Sequence, residues 1–340
     1  MDLHIKSLNR MEFRTQLPVQ NPGFNIDHHH AICCMGSCFA EEIGARLAAS
    51  KFSTLVNPFG ILFDPTSICT GLIRLLKREP VRPQELFQNQ DLWRHFDFHS
   101  RYAHPDKSRA EQLMNHSVEQ GADFLAGTSI LILTLGTAYV YFRQGKPVAN
   151  CHKVPSGQFT RRKLETEEVA DQLSATIRIL TERRPDLKIL LTVSPVRHLR
   201  DGLVDNQRSK AVLVLAAEQL ERSFAAVHYF PAYELLLDDL RDYRFYGADM
   251  THPSEQAVSY VWENFQAWYF SVQTRELVRR AGRLRAAMDH RPVHPETEEY
   301  RRFLRAELET IDEMSRRFPE LDLSDERTFF TSRLDNLQNN

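Results

Sequence analysis

Apolar and polar positions along this chain fall into two kinds of pattern. Five short apolar runs occupy positions 31–35, 53–57, 129–136, 188–195 and 227–233. SILILTLG and KILLTVSP are almost continuously apolar, as expected of parallel strands covered on both faces. Between the runs, apolar residues recur every three or four positions, over 38–50, 66–79, 110–127, 165–185 and 207–226. That period predicts helices. Strand and helix therefore alternate, which predicts an α/β fold: a three-layer sandwich around a central, mostly parallel five-stranded sheet of flavodoxin-like type. YVYFRQGKPVAN, after the third run, predicts a projecting hairpin.

Another helical pattern covers 255–270, and an Arg/Glu-rich segment covers 274–318. The break RPVHPE divides that segment into two helices. We expect a sandwich domain over 1–270 and a charged helical extension over 271–340. The extension would pack on the sandwich or, in a homo-oligomer, on a partner subunit. The polar end, to DNLQNN, is expected to fray.

Composition narrows the function classes. The 340 residues are 42% hydrophobic and 26% charged, with a net charge of −2. That balance gives no electrostatic footprint for nucleic acid or an anionic membrane. No apolar run approaches the ~20 residues of a spanning helix. MDLHIKSLNRMEFRTQ lacks the apolar block of a secretory signal, so a cytoplasmic location is expected. The five cysteines, Cys33, Cys34, Cys38, Cys69 and Cys151, are odd in number and form no CxxC pair. Buried reduced thiols fit them better than a disulfide framework or a zinc site. His28, His29 and His30 lack further partners at ligand spacing. No metal or organic cofactor is expected.

Candidate chemistry begins where the first strand ends, in CCMGSCFAEEIGARL. In a parallel sheet, sites collect at the carboxyl ends of strands. Ser37 stands there, after a glycine that permits a sharp turn and before a helix. It is either a nucleophile beside the positive end of that helix or simply its N-cap. Far along the chain, Asp249 and His252 are three residues apart, ahead of Pro253 at an expected first helical position. Such a turn lets the carboxylate fix the tautomer of the imidazole, leaving the other ring nitrogen free to serve as a base. The same pair could equally be a capping pair.

These words occur in a recognisable order. MGSCFAEEIGARL, LVNPFGILFDP, TLGTAYVY, NCHKVP, SPVRHLRDG with SKA after it, and YFPAYELLLDDLRDYRFYGADMTHPS together resemble the GSCFA-motif family, a branch of the SGNH/GDSL hydrolase superfamily. The resemblance covers roughly residues 10–270. It implies that Ser37 is the nucleophile, His252 the general base and Asp249 the residue that orients it. It further implies oxyanion donors from the N–H of Ser37 and from Gly60, in a loop shaped by Asn57. The asparagine usual after the third strand is missing, and Gly136 and Thr137 stand in its region. Asn150 or His152 are candidates for the absent donor, and Arg197 or His198 for contacts to substrate. LWRHFDFH, at 92–99, is a candidate lid.

The expected activity is therefore that of a serine esterase or deacetylase acting on a small acyl ester, such as an O-acylated carbohydrate, through an acyl-enzyme. An acyltransferase would use the same residues. A scaffold module retaining the fold is the rival from another class. Cys38 as nucleophile is a third reading, since a thiol at a helix N-terminus is favoured as thiolate.

Overall fold

The computed structural model describes residues 14–338; most of the segment read for a leader therefore lies outside the described residues. The five apolar runs are the strands β1 (Ala31–Gly36), β2 (Ser53–Val56), β3 (Ile130–Leu135), β4 (Lys188–Val193) and β5 (Val227–Tyr229). They form one sheet in the order β5-β4-β3-β1-β2, and every neighbouring pair is parallel. The first strand, β1, lies inside the sheet next to its edge; the chain runs outward to the edge strand β2, then crosses back over β1 to β3. Between β1 and β3 the strand order reverses, and in open α/β sheets that switch point is where ligands bind.

Alternation along the strands sorts side chains to the two faces. Cys33, Met35, Leu131, Leu133, Ile189 and Leu191 enter one core with α2 (Pro65–Lys77), α3 (Lys107–Gly127), α4 (Thr166–Arg183) and α5 (Gly202–Ser223). Ile32, Cys34, Ile130, Ile132 and Leu190 enter the other, with α1 (Cys38–Ala49) and α6 (Glu255–Tyr269). This is the expected three-layer α/β sandwich. Cys33 and Cys34 are fully buried, and burial pushes the Cys33 thiol up to about 12.

Two smaller sheets decorate the strand ends. Strands Tyr139–Arg143 and Lys146–Val148 make the expected hairpin, and Thr160–Lys163 adds a third strand. The segment read as a lid is a packed wall. Its hairpin (Phe87–Asn89 with Leu92–Arg94) leads to Phe98, which is fully buried against Phe59 at 4.9 Å between ring centroids.

The C-terminal extension holds three helices, one more than expected: α7 (Val272–Asp289), α8 (Glu298–Arg317) and α9 (Ser324–Gln338). The end expected to fray is helical through Gln338, because Leu334 and Leu337 pack on the core formed by Leu304, Ile311, Met314 and Phe330. The extension does rest on the sandwich. Val278 joins the α1–α6 core, and Lys51 meets Glu326 at 2.6 Å. Lys51 lies beyond the C-terminal end of α1, about 18 Å along the helix from its start, so the extension sits away from the switch point. No helix among the described residues is long and apolar enough to cross a membrane.

Candidate active site

The corner between β1 and α1 is built around Gly36. Its φ is +141°, and a Cβ there would lie 2.2 Å from the Thr134 carbonyl oxygen, so only glycine fits. From the next loop, Asn57 clamps the same corner: its Oδ1 accepts from Gly36 N–H at 2.8 Å, while its own N–H donates to Cys34 O at 2.8 Å. Ser37 is fully buried. Its N–H donates to Thr134 O at 3.1 Å, and its hydroxyl caps α1 by accepting from Phe39 N–H at 3.3 Å. Cys38 occupies the first helical position and is partly exposed. Burial raises its thiol pKa above the ordinary value.

The loop before α6 holds the second half of the constellation. Asp249 Oδ1 accepts from the N–H groups of Thr251, at 2.9 Å, and His252, at 3.0 Å. Oδ2 lies 2.6 Å from His252 Nδ1. The backbone N–H of His252, then its ring and Thr251, hold the Asp249 carboxyl well below the usual carboxylate range. The Nδ1 proton therefore points at Asp249, and Nε2 carries the lone pair. Pro253 is not the first helical residue. It pairs with Tyr246, and α6 starts at Glu255 after a Ser254 cap. Arg197 N–H donates to Thr251 O at 3.0 Å and so ties this loop to the end of β4.

The two sequence-distant motifs meet at one rim. A cavity of about 90 Å³ is lined by Cys38, Phe39, Val196 and His252 among others. The chain thus brings the imidazole to the first turn of α1. Cys38 lines this cavity together with the imidazole, while the Ser37 hydroxyl is turned into the helix end. Glu255, on the same cavity wall, forms an ion pair with Arg46, clamping α6 to α1.

The backbone groups expected to face an oxyanion are already bonded. Ser37 N–H serves Thr134 O, Gly60 N–H donates to Asn57 O at 2.7 Å, and the N–H groups of Gly136 and Thr137 donate to Phe63 O at 2.8 and 3.0 Å. Thr137 Oγ1 is shared with Ser209 at 3.1 Å. Gly60 sits at φ +80° with His99 against it, so it serves the turn. Two other donors stand nearby without partners. Asn57 Nδ2 is buried and unbonded, on the amide whose oxygen holds Gly36. His198 Nε2 is also buried and unbonded, 3.3 Å from where a Gly136 Cβ would lie. Burial pushes the His198 imidazole down to about 4, so the ring is neutral at physiological pH.

His152 belongs to the wall, its Nε2 2.8 Å from His95 O; Asn150 is anchored there by its backbone N–H, which donates to Phe96 O at 2.9 Å, while its side-chain Nδ2 is buried and unbonded. Burial lowers the His152 imidazole to about 4. Two of the three early histidines serve local structure: His28 stacks on Phe52 and bonds Ser50 O, and His30 pairs with Asp27, while the exposed His29 ring lies 3.9 Å from Glu320 of the extension. A larger cavity, about 660 Å³ beside Arg14 and the π-helical turn Leu235–Leu240, is lined by no His, Cys or Ser among the described residues. Chemistry and volume point to different places, and the residues decide.

Lys210, the lysine of the SKA motif, joins the site although its sequence context assigns it no role. It is almost completely buried in α5, and its Nζ donates to Gly136 O and Ser194 O, both at 2.6 Å. Burial lowers its ammonium to about 7. The signal was a lysine on the apolar side of a helix, between Asn206 and Leu213.

The GSCFA family model matches residues 31–265, more than half of the chain. The chain belongs to the GSCFA family. The match runs from β1 into α6 and so includes every residue of the GSCFA constellation from Ser37 to His252. A second model, described as the GSCFA domain protein C-terminal domain, matches residues 281–336, from the middle of α7 through α8 into α9. No curated protein matches the chain.

Proposed function

We propose that this GSCFA chain is an acyl hydrolase working on the SGNH plan, with His252 as general base and Asp249 as the residue that orients it. The observation that carries the reading is the 2.6 Å contact of His252 Nδ1 with Asp249, beside the first turn of α1. Ser37 is the nucleophile in this reading. Its hydroxyl first leaves Phe39 N–H by rotation about χ1, which gives up a cap contribution of about 1 kcal/mol. The oxygen then attacks an ester carbonyl and its proton passes to His252 Nε2. Asn57 Nδ2 and the first-turn N–H of Cys38 are the donors available to the tetrahedral oxyanion. As the ester C–O bond breaks, His252 returns the proton to the leaving alkoxide. Water, deprotonated by the same nitrogen, releases the acid. A small acyl ester, such as an O-acylated carbohydrate, is the proposed substrate class. A hydroxyl acceptor in place of water would make the same site a transferase.

A second reading rests on a separate observation. Cys38, not Ser37, shares the cavity wall with His252. There the thiol takes the nucleophile's place and the intermediate is a thioester. Hydrolysis of p-nitrophenyl acetate by Ser37→Ala and Cys38→Ala separates the two. Loss only in Ser37→Ala supports the serine, and loss only in Cys38→Ala supports the thiol. Full turnover by His252→Ala overturns both.

A further inference from the structure

Next to the His252 cavity lies another, of about 130 Å³, under the end of β4 and the first turns of α5. Its wall carries two cations, Arg197 and Lys210, and no carboxylate. Arg197 has no acidic partner among the described residues. Its guanidinium lies 4.0 Å from the ring centre of Tyr246 and 5.2 Å from that of Tyr243, and such stacking fixes its plane. Lys210 spends two of its donors on the carbonyls of Gly136 and Ser194, and below about pH 7, where the amine is charged, it has a third to offer.

The neutral groups lean the same way. The Asn206 oxygen is occupied by His198 N–H at 2.8 Å, and the Gln207 oxygen by the Tyr233 hydroxyl at 2.7 Å. Each amide keeps its NH₂ group as a further donor. A wall that carries a guanidinium, a lysine amine and two amides, and no carboxylate, suits an anion. A buried ammonium without a counter-charge is costly, and a bound anion would relieve that cost. The cavity is also joined to the chemistry: Val196 lines the His252 cavity, the next residue is Arg197, and Arg197 N–H holds Thr251 O.

We propose that this cavity binds the phosphate or carboxylate of an anionic substrate, with Arg197 and Lys210 as its cations and the Asn206 and Gln207 amides as its neutral donors. The ester of that substrate then faces His252. This last step rests on the hydrolase reading, whereas anion binding does not.

Titration calorimetry with inorganic phosphate, and separately with acetate, at pH 6 and constant ionic strength tests the binding. Saturable binding of either anion to the full chain, weakened at least tenfold in Arg197→Gln, is expected. The anion that binds more tightly identifies the group. No saturable binding of either, or equal binding by Arg197→Gln, overturns the proposal. Lys210→Met also removes the bonds to Gly136 O and Ser194 O, so Arg197→Lys serves as the second variant: it keeps the charge, loses the fork, and should recover part of the affinity.

The substrate step has its own readout. The ratio of kcat/KM for O-acetylglycerol 3-phosphate over O-acetylglycerol should exceed ten and collapse in Arg197→Gln. If phosphate binds as described but neither ester is turned over, the anion site stands and the hydrolase reading falls. If both esters are turned over equally by the wild type and phosphate does not bind, the reverse holds.

Discussion

Asp249 earns its role through three N–H contacts, and an amide in its place would keep the turn while losing the charge. Asp249→Asn should therefore fold normally yet lower esterase kcat by about 10⁴, as a misoriented imidazole does in other triads. Full activity in a stable Asp249→Asn protein would contradict the assigned role. Lys210 makes a prediction about stability. Its folded pKa, about 7, lies well below the ordinary lysine value, so between pH 7 and 10 the unfolded chain holds a proton that the native chain has lost. Native stability relative to Lys210→Met must then rise with pH across that window. Urea unfolding of both proteins at pH 7, 8 and 9 measures it, and parallel curves would contradict the burial argument. At this scale the sequence spoke unevenly. Asp249 and His252 were legible because three-residue spacing forces contact within one turn. The engagement of Gly60, Gly136 and Thr137 was not, because the carbonyls that take their N–H groups come from Asn57 and Phe63, and sequence spacing does not show which acceptor a loop will supply.

Elements carry the site through the corner that joins β1 to α1. Strands β1, β3 and β4 were readable because each is buried almost throughout and so is apolar on both faces, whereas the edge strands β2 and β5 are short and only partly buried. Helix α1 was readable from its period and its serine cap. The hairpin at 87–94 was not, since its strands are three residues long and half-exposed and leave no alternation to detect. Nor was α9, whose apolar residues are spread around its axis with little amphipathic contrast. The β1–α1 corner itself makes a prediction. Gly36→Ala would combine a conformation that L-residues avoid with a clash against the Thr134 backbone. It should cost several kcal/mol, more than the ~1–3 of the backbone conformation alone. Ser37→Ala loses only a cap, about 1 kcal/mol. Thermal unfolding of the two variants should separate them clearly; similar midpoints would mean that the corner relaxes.

On the scale of the whole molecule, chemistry and extension occupy opposite ends of α1. The switch point between β1 and β3 gathers Ser37, Cys38, His198, Lys210 and the His252 loop, while the three C-terminal helices are fastened near Lys51. The Lys51–Glu326 pair is largely buried, with side-chain exposures of 18% and 9%. Removing one partner of a buried pair leaves an uncompensated charge and costs about 3–5 kcal/mol. Glu326→Ala should therefore lower the unfolding midpoint while leaving the kcat/KM for p-nitrophenyl acetate within a factor of two. A large loss of activity in the folded variant would show that the extension reaches the site.

The central claim is that His252 activates a nucleophile on the first turn of α1. Its most direct measurement is peptide mapping by mass spectrometry after brief exposure of the full chain to p-nitrophenyl acetate. The account predicts an acetyl adduct on Ser37 or Cys38 that forms in the wild type and is lost in His252→Ala. An adduct elsewhere, or one formed equally fast without the imidazole, would contradict it.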